Sequence, residues 1–204
     1  MKNVISAAIL CLLLVSCGPP QAPDYQKGYA AFISGDYATA LRELRPLAEQ
    51  GHADAQTYLG LMYQYGDGVA QDNKTAFKWL TLAVEQWKPL AEQGDADAQY
   101  GLGGMYYKGW GVPQDYKTAL KWWTLAAEQG DAEGQAGLAW MYYKGLGVPQ
   151  DNVYAYMWDD IAASNGNEDG GYGRDMVADK MTATQIQKAQ GLARECVVKK
   201  YKGC

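Results

Sequence analysis

The chain is poor in the side chains that carry covalent and metal chemistry. Of its 204 residues one is histidine, His52, and four are cysteine. Beyond residue 16 only two serines remain, Ser34 and Ser164. Neither begins an S-x-x-K sequence and no G-x-S-x-G occurs, so serine acyl transfer lacks its nucleophile. A lone histidine cannot supply a zinc site built on histidine pairs. Next to Gly51 it reads as an exposed turn residue. Basic charge is the minority: 18 Lys and Arg against 23 Asp and Glu give −5. Nucleic-acid binding, which rests on neutralising phosphates with Lys and Arg, is therefore disfavoured. Aromatic identity is lopsided, with 2 Phe against 16 Tyr and 7 Trp. An apolar share of 48% is too high for a disordered chain. No catalytic residue, metal site or cofactor is expected.

The apolar run from Val4 to Val15 is too short for a hydrocarbon core that needs about 20 residues. With Lys2 ahead of it, it reads as a signal peptide over residues 1–16. It ends Leu14-Val15-Ser16-Cys17, followed by Gly18. That ending resembles a bacterial lipobox. The resemblance implies that Cys17 is acylated and anchors the chain in a membrane. Gly18 in place of Asp points to the outer membrane; the periplasmic face is expected. A plain signal peptide cleaved near Ser16 is the alternative. Residues 17–23 hold Pro19, Pro20 and Pro23 and form a stiff tether.

With Cys11 in the leader and Cys17 lipidated, Cys196 and Cys204 remain for an oxidising compartment. Eight residues of continuous helix rise about 12 Å, beyond the ~7 Å limit for a bridged pair. A disulfide thus requires the chain to turn back after Cys196. The alternative is two free thiols.

The middle of the chain repeats. Gly66-Asp67-Gly68-Val69, Gly109-Trp110-Gly111-Val112 and Gly145-Leu146-Gly147-Val148 align at offsets of 43 and 36. Ala83, Ala126 and Ala162 keep the same step, as do Trp79, Trp122 and Trp158. A fixed period of this length marks a solenoid. Each unit reads as helix A, loop, helix B. Ala55, Leu59, Met62 and Tyr63 line one helical face. Gly66, Gly109 and Gly145 suit a left-handed helix end. Asp72, Asp115 and Asp151 sit where an N-cap belongs. The 43-residue spacing is seven longer than the other, almost two turns, and lengthens one helix B near Trp87-Lys88-Pro89.

These residues, A-x-x-x-L-G-x-M-Y-x-x-G-x-G-V-x-Q-D-x-x-x-A-x-x-W, resemble the Sel-one-like repeat, a relative of the tetratricopeptide repeat. The resemblance implies an all-α, right-handed αα-repeat solenoid with a C-terminal capping helix. Residues 24–52 read as a degenerate first helix pair. Residues 53–94, 96–130 and 132–166 are three repeats, and 167–204 form the cap. Proteins of this family serve as adaptors for protein complexes, so an unidentified protein partner is expected. A cysteine-rich exported branch has been associated with β-lactam binding and hydrolysis. That branch carries a cysteine pair in each repeat, which this chain lacks. Glycan binding on aromatic platforms is a third reading.

Two acidic patterns have plain explanations. Asp95, Asp97, Asp131 and Glu133 fall in helix first turns, where the helix dipole favours them. Asn165-x-Asn167-x-Asp169-Gly170 looks like half a calcium loop, but Met176 stands where the bidentate Glu belongs. It reads as a polar connection. Partner contacts are expected where register is fixed and identity varies: Gln64, Tyr107 and Tyr143 beside the core tyrosines, and Trp110 in the loop.

Overall fold

The computed structural model describes residues 22–204; the predicted leader and Cys17 lie outside the described residues. Among the described residues the chain forms ten helices. They are α1 (Tyr25–Ser34), α2 (Tyr37–Glu49), α3 (Ala53–Tyr65), α4 (Asn73–Glu92) and α5 (Ala96–Lys108). Then follow α6 (Tyr116–Ala127), α7 (Ala132–Lys144), α8 (Asn152–Ser164), α9 (Glu168–Ala178) and α10 (Ala183–Val198). Each helix from α1 to α8 packs on the next in sequence, and α10 returns to α8. The architecture is an all-helical repeat superhelix.

Local chemistry sets each A–B hairpin. Gly66, Gly109 and Gly145 end the A helices at φ 79°, 73° and 68°, conformations that a side chain disfavours. Asp72, Asp115 and Asp151 accept the first free amides of the B helices. Gln71, Gln114 and Gln150 then pin the loop, each donating to the carbonyl of residue 64, 107 or 143 at 2.8 Å. Leu59, Leu102, Leu138, Met62, Met105 and Met141 are each no more than 2% exposed and fill the space between helices. Gly60 and Gly103 make close approach possible: a Cβ there would lie 2.7 Å from Leu80 and 2.4 Å from Trp123.

His52 is more than an exposed turn residue. Its Nδ1 accepts the Ala55 amide at 3.4 Å and its ring stacks 4.6 Å from Tyr25. It occupies the cap position that Asp95 and Asp131 fill in the next repeats. Asn167 likewise caps α9, accepting from Gly170 at 2.7 Å, and Asn165 donates to Gln135 at 2.8 Å. At the C-terminus Lys200 and Tyr201 take positive φ and turn the chain back. Cys204 thereby reaches Cys196, and the two are disulfide-bonded with Cα atoms 5.5 Å apart.

The extra seven residues do more than lengthen α4. In each loop the second glycine sits against the preceding B helix. Gly68 meets Tyr37 and Gly147 meets Tyr116, the first residues of α2 and α6. Gly111 instead meets Leu80, seven residues beyond the start of α4. The following repeat has therefore slid two turns, about 10 Å, along α4. Both ends of α4 are left uncovered: Phe77 is 59% exposed near its start and Leu90 45% near its end.

Gly111 is the tightest of these seats, since an added Cβ would lie 2.5 Å from the Leu80 carbonyl carbon and the backbone has φ 70°. Gly111→Ala should cost about 2 kcal/mol or more by urea denaturation. Gly104→Ala, helical and facing open space, should stabilise by up to about 1 kcal/mol. Matching midpoints for the two variants would show that the seat does not constrain the fold.

Candidate functional site

The slide along α4 opens a groove between α3, α5 and α7. It encloses about 440 Å³. Tyr58, Trp87, Tyr100 and Trp110 give it aromatic surface, and Leu61 and Met105 add aliphatic surface. Trp87 comes from the inserted turns of α4 and packs against Gly101, where a Cβ would fall 2.8 Å from the indole. The aromatic surface continues onto α1, where Tyr29 lies 5.2 Å from Tyr58 between ring centroids.

Four carboxylates share this groove: Asp54, Asp97, Asp131 and Glu133. Asp54, Asp97 and Glu133 are the second residues of α3, α5 and α7, at the same offsets of 43 and 36 that define the repeats. Asp169 continues the register in α9. Among the described residues no Lys, Arg or His lines the groove. Burial raises the Asp54 carboxyl above its ordinary range, His52 opposes this, and Asp97 adds to it. Asp131 is also raised, by burial first and then by Asp97 and Glu133, against the lowering hydrogen bond from Gly134. The Tyr100 hydroxyl is pushed up to about 12, chiefly by burial, with Glu133 and Asp131 contributing. Among the described residues no three carboxylate, imidazole or thiol groups converge to hold a metal ion.

The residues expected to contact a partner do not form one patch. Trp110 lines the groove and also a second cavity of about 280 Å³, shared with Gln64 and Phe77. Tyr107 is half-buried against Tyr116 and Trp123 and accepts a hydrogen bond from Trp140 at 2.7 Å. Tyr143 is not exposed: it is 7% accessible, because the cap covers it. Val177 and Ala189 pack in its cluster, and Lys180 donates to its hydroxyl, which lowers that hydroxyl's pKa. Tyr58 and Tyr100 were not singled out by sequence, and Trp87 only as the place of the insertion. The recurrence of Asp54, Asp97 and Glu133 at the repeat offsets was the available signal.

Stacked helix pairs with a shared inner groove define an αα-repeat solenoid. The Sel1 repeat pattern matches residues 53–86, 96–131 and 132–167, together just over half the chain, and the chain belongs to that family. A protective antigen of uropathogenic Escherichia coli strains displaying an SLR fold is 32% identical. That match covers 87% of this chain and 45% of the antigen, with a TM-score of 0.57. A Sel1 repeat protein from Oxalobacter formigenes is 36% identical over 67% of this chain and 97% of its own, with a TM-score of 0.45. The exopolysaccharide production negative regulator of Rhizobium meliloti is 41% identical over 54 residues, 26% of this chain. The chain spans about 20% of that regulator's length and less than half of the antigen's.

A separate cavity of about 240 Å³ lies where α7 and α8 meet α9, lined in part by Trp140, Tyr143, Tyr172 and Asp159. Asp159 is 7% exposed, and Gly173 packs so close that a Cβ would lie 2.6 Å from its Oδ2. Burial pushes the Asp159 carboxyl up to about 7, against the opposing charge of Arg174. Arg174 itself pairs with Asp160 and Asp175. A folded-state pKa above the unfolded value means that ionising Asp159 costs stability. That cost is absent below about pH 4, grows as pH rises toward 7, and is constant above it. Asp159→Asn should therefore raise stability at pH 8 by up to about 4 kcal/mol, and by little at pH 4. Thermal melts at both values read the difference, and an equal effect at each would show that Asp159 does not ionise at the expense of the fold.

Proposed function

We propose that the chain is a non-enzymatic docking scaffold of the bacterial envelope, lipid-anchored through Cys17. It holds a protein partner reversibly in the groove of its A helices. One observation carries the reading: the groove combines about 440 Å³ of space with accessible aromatic and charged side chains, most of the aromatics half-buried. Recognition surfaces favour such pairing of aromatic anchors with polar groups. Tyr100, on the groove wall, is 37% exposed. The family membership supports a binding role. The lipobox-like Leu14-Val15-Ser16-Cys17 supports the anchor, and Gly18 supports sorting to the outer membrane. The Cys196–Cys204 disulfide fits an oxidising compartment. Among the described residues no helix is long and apolar enough to cross a membrane, so attachment rests on Cys17 in this reading.

Two measurements test it. A photo-crosslinking residue at position 100, introduced in cells that naturally make the protein, should yield one discrete protein adduct. The same residue at position 188, on the exposed face of α10, should yield none. Equal labelling at both positions, or at neither, would count against a partner in the groove. For the anchor, Cys17→Ser should move the protein from the membrane pellet to the soluble fraction; retention in the pellet would exclude lipidation as the attachment.

A further inference from the structure

Resting on the docking reading, we infer that the groove selects a cationic segment, and that the recess opened by the seven-residue insertion takes an arginine or lysine side chain of the partner.

The insertion brings together two kinds of surface that suit such a side chain. Trp87, contributed by the inserted turns, shares the recess with Tyr58 and Tyr100. An aromatic ring within about 6 Å attracts a cation through its quadrupole. Asp54 and Asp97 line the same recess, with Asp131 and Glu133 on the adjoining helix. The aliphatic stem of an arginine or lysine can lie along the rings while its head meets a carboxylate.

Charge complementarity decides the occupant. The helix dipole accounts for one carboxylate in each first turn. It does not account for four carboxylates in one cavity that, among the described residues, no Lys, Arg or His lines. Among the described residues the single basic group within 4.0 Å of any of the four is His52, at 3.9 Å from Asp54. The other basic side chains paired there serve carboxylates elsewhere: Glu43, Asp160, Asp175 and Glu128. The Asp54 side chain is still 45% exposed and so remains open to a ligand. An incoming guanidinium or ammonium relieves the repulsion among these groups, whereas an anionic segment adds to it. A bare metal ion is a poor occupant because no three ligands converge. A side chain that spreads over rings and carboxylates fits the layout.

The test uses the full chain and two soluble Gly–Ser peptides, one carrying three arginines and the other citrulline at the same places. Binding is read by fluorescence anisotropy at low ionic strength. The arginine peptide should bind at least about tenfold more tightly than the citrulline peptide. A groove variant, Asp54→Asn with Asp97→Asn and Glu133→Gln, should lose at least about tenfold. A variant matched in charge, Glu49→Gln with Asp179→Asn and Glu195→Gln, should stay within about twofold, since these residues are exposed and lie outside the groove. Circular dichroism confirms that each variant is folded, and added salt weakens binding to the wild type even if a variant fails to fold. No binding of the arginine peptide, equal binding of the citrulline peptide, or an equal loss in the matched variant overturns the inference. Crosslinking at position 100 separates the two readings. An adduct that persists in the groove variant leaves docking intact and removes the cationic specificity. Absence of an adduct in the wild type removes docking itself.

Discussion

A buried amide ties each repeat to the helix before it. Gln56, Gln99 and Gln135 lie in the first turns of α3, α5 and α7. Each donates through Nε2 to the carbonyl of Ala48, Ala91 or Ala127, at 3.0, 3.0 and 3.2 Å. These carbonyls belong to the last turns of the preceding B helices, where intrahelical partners run out. Each carbonyl also accepts the amide three residues on, from Gly51, Gly94 or Gly130, so the glutamine fills the second acceptor site. The buried glutamine amide finds its partner there, and leaving that amide unpaired would cost about 1–3 kcal/mol. The glutamine therefore fixes where the next A helix must start, and the angle of one repeat on another follows. A second tie closes the joint in two of the three cases: Gln129 donates to Gln99 and Asn165 to Gln135, both at 2.8 Å. At Gln56 that second tie is missing, and its Oε1 is buried without a protein partner.

The missing tie and the groove have one cause. In the later repeats the partner amide stands thirty residues beyond the glutamine, at the end of the B helix. The corresponding distance from Gln56 reaches Gln86, which is two turns short of the end of α4. The true end residue, Gln93, donates instead to Pro89. Because the inserted length is close to a whole number of turns, the apolar face of α4 stays in phase. Ala76, Leu80, Ala83 and Ala91 are all buried along it. The helix can thus carry two neighbours at different heights. α3 packs along the early part of α4 and α5 along the later part, and the step between them becomes the recess.

Period and caps were legible because they depend on few atoms. A glycine at φ near 70° and an aspartate at an N-cap are dictated by backbone geometry within a few residues. The repeat offsets then carry the argument along the chain. The step along α4 was legible only in part. The offset of 43 announced a longer helix, but not which neighbour would shift. Exposure was the least legible property. Tyr143 shares its register with Tyr107 and Gln64, yet it is buried because α9 and α10 cover the last repeat. Burial of an end repeat is set by its cap, which lies outside the repeating unit. The grouping of Tyr58, Trp87 and Tyr100 was not legible for a related reason. They occupy different positions in their units, and only the step at α4 brings them to one recess.

The same geometry explains how the carboxylates are tolerated before anything binds. Each of Asp54, Asp97 and Glu133 stands in the first turn of an A helix, where unpaired amides present partial positive charge. The superhelix points these helix starts toward one groove, so the dipoles that support the carboxylates also aim them. Burying these carboxylates, and to a lesser degree holding them near one another, costs folding free energy, as the raised Asp54 and Asp131 show. A cationic ligand returns part of that cost on binding, and it meets groups already fixed by caps and by the glutamine ties. Little further ordering is then required of the scaffold, and affinity under this arrangement comes from preorganisation more than from buried area.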